Sequence, residues 1–196
     1  MEKPQVEVTT WYLEMKSPAQ LRAALVDRPD LTIIRSQIPL PAFSRWLYAT
    51  VGEQWHWRDR LGWSEDKWMA YLDRPALQTW VAYVAGTPAG YIELEAQAEG
   101  SVEIAYFGLL PPFIGQRIGG HLLTVGIQKA WQMGAQRVWV HTCSLDGEFA
   151  LKNYQARGFE LYDTQIHREA IDSTTVAKRA GDRSASPYSQ NSVRPG

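Results

Sequence analysis

A chain of 196 residues, 45% hydrophobic and 21% charged, has the balance of a soluble globular domain long enough to bury a core. A formal net charge of -1 gives no reason to expect nucleic acid or an anionic membrane as partner, and the single Cys143 excludes an internal disulfide framework. No apolar stretch approaches the roughly 20 residues of a membrane helix, and the N-terminal MEKPQVEVTTWYLEM lacks the apolar core of a signal peptide, so a cytoplasmic protein in a reducing compartment is expected.

In chain order, residues 5–15 alternate and predict a first strand. Ser17-Pro18 supplies an N-cap and a first-turn proline for a short helix over 19–26, which ends before Asp27-Arg28-Pro29-Asp30. Residues 31–40 read as a short strand or an extended connection, broken by Pro39 and Pro41. Phe43, Trp46, Leu47 and Val51 then share one side of a helix over 42–51, with Gly52 as its stop. A loop dense in aromatic and charged residues follows, and Ser64 caps a second helix to Leu72; Lys67 stands where a reciprocal capping box needs an acid. Five of the nine tryptophans (Trp46, Trp55, Trp57, Trp63 and Trp68) fall in this region, where they fill a core or line a pocket.

The strand-rich half begins at Gln78. Residues 79–85 and 89–97 flank Gly86-Thr87-Pro88 as an antiparallel hairpin. The apolar run Val102 to Leu110 ends in Pro111-Pro112, a glycine-bearing turn spans 114–120, and Leu123, Ile127, Ala130 and Trp131 recur at helical spacing beyond it. A strand, a glycine turn and a helix N-terminus direct unpaired backbone N–H groups and the positive end of the helix dipole at one point, so an anion, most often a phosphate, is the expected guest. Residues 137–143 give a further strand, 146–157 a helix, and 159–162 and 164–169 strand-like pieces. From about Asp172 onward the apolar periodicity is lost, and a polar, disordered tail is expected.

Two segments together resemble the GNAT superfamily of acyl-CoA-dependent N-acyltransferases. Pro111 through Gly120 is similar to that family's strand-to-helix signature, Arg/Gln-x-x-Gly-x-Gly/Ala, although Ile114 replaces the usual Arg or Gln and Arg117 the first glycine. Ala150, Tyr154, Gly158 and Phe159 match its A-x-x-x-Y-x-x-x-G-F pattern in every defining position. The resemblance covers roughly residues 78–166. It implies an α/β (α+β) fold with a central mixed, mostly antiparallel sheet of six to seven strands and four to five helices. The domain would span residues 1–171, with acceptor-side helices and loop at about 17–72 and a CoA-binding core at about 78–166, leaving 172–196 as the tail.

The same resemblance implies acetyl-CoA as acyl donor and no metal. The strand ending at Leu109-Leu110 and the strand Val138–Cys143 would splay to admit the pantetheine arm by strand addition. Gly115, Gln116, Arg117, Ile118, Gly119 and Gly120 would hold the pyrophosphate, with Asn153 nearby. Arg117 either opens the turn slightly or, with Gln116, adds side-chain contacts to phosphate. Tyr154 stands where family members carry the acid that protonates the thiolate, a phenol near ~10 facing a thiol near ~8.5. For the base there are three candidates: His141, Glu103 and His56. Trp55, His56, Trp57, Arg58 and Arg60 fall in the segment that closes over the acceptor; aromatic walls and an arginine suit a hydrophobic or amino-acid-like amine. Cys143 reads as a buried structural thiol. The expectation is an N-acetyltransferase acting on a small-molecule or peptide amine, as monomer or homodimer, with an acyl-CoA-binding sensor of the same fold as the alternative.

Overall fold

The computed structural model describes residues 5–53, 55, 57–147 and 149–170. These form β1 (Gln5–Met15), β2 (Leu31–Ser36), α1 (Pro41–Gly52), α2 (Glu65–Leu72), β3 (Leu77–Val84), β4 (Thr87–Ala96), β5 (Ser101–Leu109), α3 (Ile118–Gln132), β6 (Arg137–Cys143), α4 (Ala150–Ala156) and β7 (Glu160–Ala170). One seven-stranded sheet has the order β2-β3-β4-β5-β6-β1-β7. Every neighbouring pair is antiparallel except β5 and β6. The expected mixed, mostly antiparallel sheet with flanking helices is therefore present.

Alternation along the strands decides what each sheet face buries. On one face Leu13, Met15, Ile92, Leu94, Ile104, Val138 and Val140 pack with Ile118, Leu122, Leu123 and Ile127 of α3 and with Tyr154 and Phe159. On the other, Leu47 and Val51 of α1 pack on Val81 and Tyr91. Helices α1 and α2 thus sit over the β3–β5 half of the sheet.

The hairpin loop is tighter than the predicted Gly86-Thr87-Pro88. Ala85 and Gly86 both adopt positive φ (47° and 79°), so two residues make the turn and Thr87 and Pro88 already belong to β4. Ser17 does cap a helix, through a reciprocal box with Gln20, but only a 3-10 turn over Pro18–Gln20. Residues 21–26 run extended as a strap, because their donors find partners outside it. The amides of Arg22, Ala24 and Val26 donate to the Arg157 carbonyl, Thr124 Oγ1 and His121 Nδ1. The helix expected over 146–157 starts late, at Ala150: Asp146 Oδ2 accepts from Thr142 Oγ1 (2.6 Å) and the Cys143 amide (2.8 Å), holding a turn there. The two strand pieces near the end are one strand, β7, with a bulge against Tyr12/Leu13. The predicted tail lies outside the described residues.

Candidate active site

Strands β5 and β6 pair for only three residues, Ser101 to Glu103 against Arg137 to Trp139, and then diverge. Just past the last pair, β5 carries a bulge: Ile104 faces Leu94 and Tyr106 faces Glu93, which leaves Ala105 off the ladder with β4. The β6-facing backbone of the strand beyond Glu103 is thereby free for another extended chain. A cavity of about 1110 Å³ fills the gap and runs from this bulge to the N-terminus of α3.

At the far end, the turn into α3 is left-handed twice, with φ of +82° at Gly115 and +65° at Arg117. Arg117 is the N-cap residue of α3 and makes no side-chain cap bond, so the first amides of a 15-residue helix face the cavity uncapped. Gly115 has open space where a Cβ would stand. At Gly119 an added Cβ would meet only ordinary contacts, 3.6 Å from Leu109 and 4.0 Å from Phe107. Packing within the chain does not require glycine there, whereas a bare backbone keeps the amides within reach of a phosphate. The residues present fit a pyrophosphate-bearing guest.

Gly120 has a different explanation. A Cβ there would lie 2.8 Å from Arg157 Nη1 and 3.3 Å from Ala24, so this glycine lets the strap and α4 close on α3. Of the remaining turn residues, Ile118 is fully buried in the core. Gln116 spends both ends of its amide, accepting from Arg28 (2.9 Å) and donating to the Pro112 carbonyl (2.8 Å). Leu110 is buried, and its amide donates to the Ala89 carbonyl. Leu109 and Asn153 line the cavity, as does Lys152, which sequence reasoning did not single out.

Near the bulge the structure brings Glu103 and His141 together: Nδ1 of His141 lies 3.3 Å from Glu103 Oε1. The other oxygen of Glu103 accepts from Gln97 Nε2 (2.7 Å), and Gln97 Oε1 accepts from the Trp139 indole N–H (2.9 Å). This relay fixes both carboxylate and imidazole. Hydrogen bonding to Glu103 raises the His141 pKa, against the pull of partial burial, and leaves Nε2 as the nitrogen available to a substrate. His56, the third candidate base, lies outside the described residues.

Tyr154 projects from α4 into the same cavity, buried and held between the rings of Phe107 and Phe159. Burial, aided by the Asp146 carboxylate, pushes its phenol pKa up, so it keeps its proton throughout the physiological range. The Cys143 thiol is pushed to about 11 by burial, which removes it as a thiolate nucleophile.

The tryptophan-rich loop does two jobs. Arg60 is 6% exposed and donates to Glu93 (2.8 Å) and Tyr71 (2.6 Å), with its guanidinium 4.1 Å and 4.3 Å from the centres of the Tyr71 and Tyr106 rings. Burial opposes its charge, but Glu93 overcompensates and raises the pKa. The charge expected to meet an acceptor's carboxylate is thus already matched, and Arg60 works as the pin of the loop. Trp57 packs edge-on against Tyr91 and Tyr106 beside Gly52 and Gly108. Trp55 lies over Gly147, where an added Cβ would come within 3.1 Å of its ring, and so bridges from the loop to the segment before α4. Asp59, which the sequence pattern did not flag, joins these residues on the cavity wall.

Residues 42–159 match the family model described as Acetyltransferase (GNAT) family. Mycothiol acetyltransferase of Corynebacterium aurimucosum is 34% identical over 83 residues, 41% of this chain and 27% of that protein. A GCN5-related N-acetyltransferase from Kribbella flavida superposes with a TM-score of 0.61 at 18% identity, covering 84% of this chain and 58% of its own. One from Sphaerobacter thermophilus gives 0.64 at 16%, covering 87% and 55%. The chain therefore spans little more than half the length of these structural relatives, and about a quarter of the curated one. With the family match covering more than half of the sequence, the chain belongs to the GNAT acetyltransferase family.

Proposed function

We propose that the protein is an N-acetyltransferase that passes the acetyl group of acetyl-CoA directly to a primary amine. The observation that carries this reading is the meeting, in one cavity, of a bare helix N-terminus, an unpaired strand edge, a carboxylate–imidazole pair and a buried tyrosine. The α3 amides and Arg117 take the pyrophosphate, and the free edge of β5 takes the pantetheine amides. Family members use acetyl-CoA as a general rule, and the relative named for acetyl transfer supports acetyl as the group carried.

His141 Nε2 removes the proton as the amine forms its bond to the thioester carbonyl carbon, and Glu103 stabilises the imidazolium. Ala105, off the ladder at the bulge and on the cavity wall, offers its N–H to the developing oxyanion. When the carbon–sulfur bond breaks, the electron pair leaves on sulfur and Tyr154 supplies its proton. Burial raises the phenol pKa, but the departing thiolate feels the same apolar surroundings, so the transfer is not penalised one-sidedly.

Calorimetric titration with acetyl-CoA followed by a thiol-release assay over an amine panel tests the reading. Binding followed by release from at least one amine is expected. Tight binding with no release from any amine would leave an acyl-CoA sensor, and no binding would remove both.

A further inference from the structure

Four residues outside the expected site stand beside its base. Val138, Val140, Leu13 and Met15 are buried against the α3 side, so Trp139 and His141 of β6 and Tyr12 of β1 project from the opposite face. Tyr12 is directly across from His141, and Asp163 of β7 directly across from Tyr12. Helix α1 covers β4 and β5 on this side, and among the described residues the β6-β1-β7 half stays open: the His141 side chain is 47% exposed and Tyr162 44%.

The rings form a row. Tyr12 and Trp139 flank His141 with centroids 5.9 Å and 6.0 Å away and planes tilted by 34° and 31°, and Tyr162 follows 6.2 Å beyond Tyr12. Each is held in place. The Trp139 N–H is bonded to Gln97, the Tyr12 hydroxyl donates to Gln165 Oε1 (3.4 Å), and Arg137, tied to Glu14 (2.7 Å), lies over Tyr162 and Trp139. Carboxylates border the row at Glu103 and Asp163, both with acceptor capacity beyond the bonds they already make.

We propose that this row is the acceptor subsite, and that the acceptor is an amine carried on a saturated, hydroxylated ring, that is, an amino sugar or an aminocyclitol. This rests on the N-acetyltransferase reading of the adjoining cavity. A fixed aromatic row offers dispersion and C–H contacts to the flat apolar side of such a ring at little entropic cost. The carboxylate border serves the hydroxyls, which a plain aromatic or aliphatic amine lacks and whose absence would leave that border without ligand partners. A flexible chain amine would find the carboxylates but gain little from the rings. The substrate's ammonium is drawn to the carboxylate border beside His141.

The test compares glucosamine and 2-deoxystreptamine with cyclohexylamine (ring without hydroxyls) and 2-amino-1,3-propanediol (hydroxyls without ring), reading CoA thiol release from the full chain. The expected result is a kcat/KM at least about tenfold higher for one of the two hydroxylated ring amines than for either control. Tyr12→Leu and Trp139→Ala should each raise the ring-amine KM about tenfold with the KM for acetyl-CoA unchanged. If Trp139→Ala does not fold, Tyr12→Leu decides. Turnover that is equal across the panel, or a ring-amine KM unmoved in Tyr12→Leu, overturns the subsite while leaving the enzyme reading intact. Absence of thiol release from every amine overturns that reading and the subsite with it.

Discussion

Replacing Glu103 by Gln removes a negative charge 3.3 Å from His141 Nδ1 and keeps the side-chain shape. With nearly half of the imidazole exposed, the water limit governs the coupling, about 1.3 kcal/mol at that distance. The native contact raises the His141 pKa, so the neutral imidazole needed as base appears only above its ordinary value near ~6.5. In the variant the acidic limb of kcat/KM for a fixed amine should therefore move to lower pH. Stability gives an independent readout with a definite sign. A raised histidine pKa stabilises the fold below the unfolded value and ceases to do so as pH rises through the folded one. Glu103→Gln should thus cost more stability near pH 5 than near pH 8, as read by thermal melts at both. An acidic limb that stays put or moves up would refute the assignment of His141 as a base coupled to Glu103.

Other substitutions probe the remaining parts of the site. Tyr154→Phe should lower kcat about 10²- to 10⁴-fold with the Kd for acetyl-CoA unchanged, and an unchanged turnover number would take Tyr154 out of the acid role. Arg117→Gly relieves a left-handed residue costing about 1 kcal/mol but removes a guanidinium beside the α3 amides, so CoA affinity should fall about tenfold by calorimetry while the melting temperature does not drop. Glu93→Gln leaves the Arg60 charge buried without its carboxylate, which should cost about 3–5 kcal/mol and lower Tm by roughly 6–20 °C in calorimetry. Gly158→Ala forces a Cβ into the Gln20 carbonyl oxygen at a φ of +100°; unseating of the strap should show as faster amide exchange at Arg22, Ala24 and Val26.

What the sequence disclosed follows the range of the forces involved. Strands β1 and β6 have the predicted bounds, because period-2 alternation is local. Ser64 caps α2 as expected, its Oγ accepting from the Lys67 amide. The strap at 21–26 has helical propensity in sequence, while the acceptors that hold it extended, Thr124, His121 and the Arg157 carbonyl, lie about a hundred residues away or more. Gly119 and Gly120 are indistinguishable as letters; only the three-dimensional surroundings separate an approachable backbone from a packing requirement. Arg60 likewise read as a substrate cation until its carboxylate partner emerged from β4, 33 positions on. Tyr12 carried no signal at all, since nothing local says that β1 will lie against β6.

That last placement matters most for the chemistry. With β1 inserted between β6 and β7, Tyr12 and Thr10 come to the same face as His141 and Cys143, their partners across the ladder. Val8 and His167, themselves paired across β1 and β7, also line the cavity. One wall of the cavity thus comes from strands at opposite ends of the described chain, whereas the α3 turn and the β5 bulge come from a contiguous middle segment. Pairings this distant in sequence close late in folding, because the loop entropy is lost before the contacts are gained. Glu103, Trp139 and His141 belong to that middle segment together with the α3 turn, so within the aromatic row it is Tyr12 and Tyr162 that depend on the distant pairings. Loss of the Tyr12 ring should consequently affect amine selection more than CoA affinity, because Tyr12 stands beside His141 and not at the α3 turn. If the proposed row is the acceptor subsite, β1 rather than the glycine turn is the element that bears on acceptor choice.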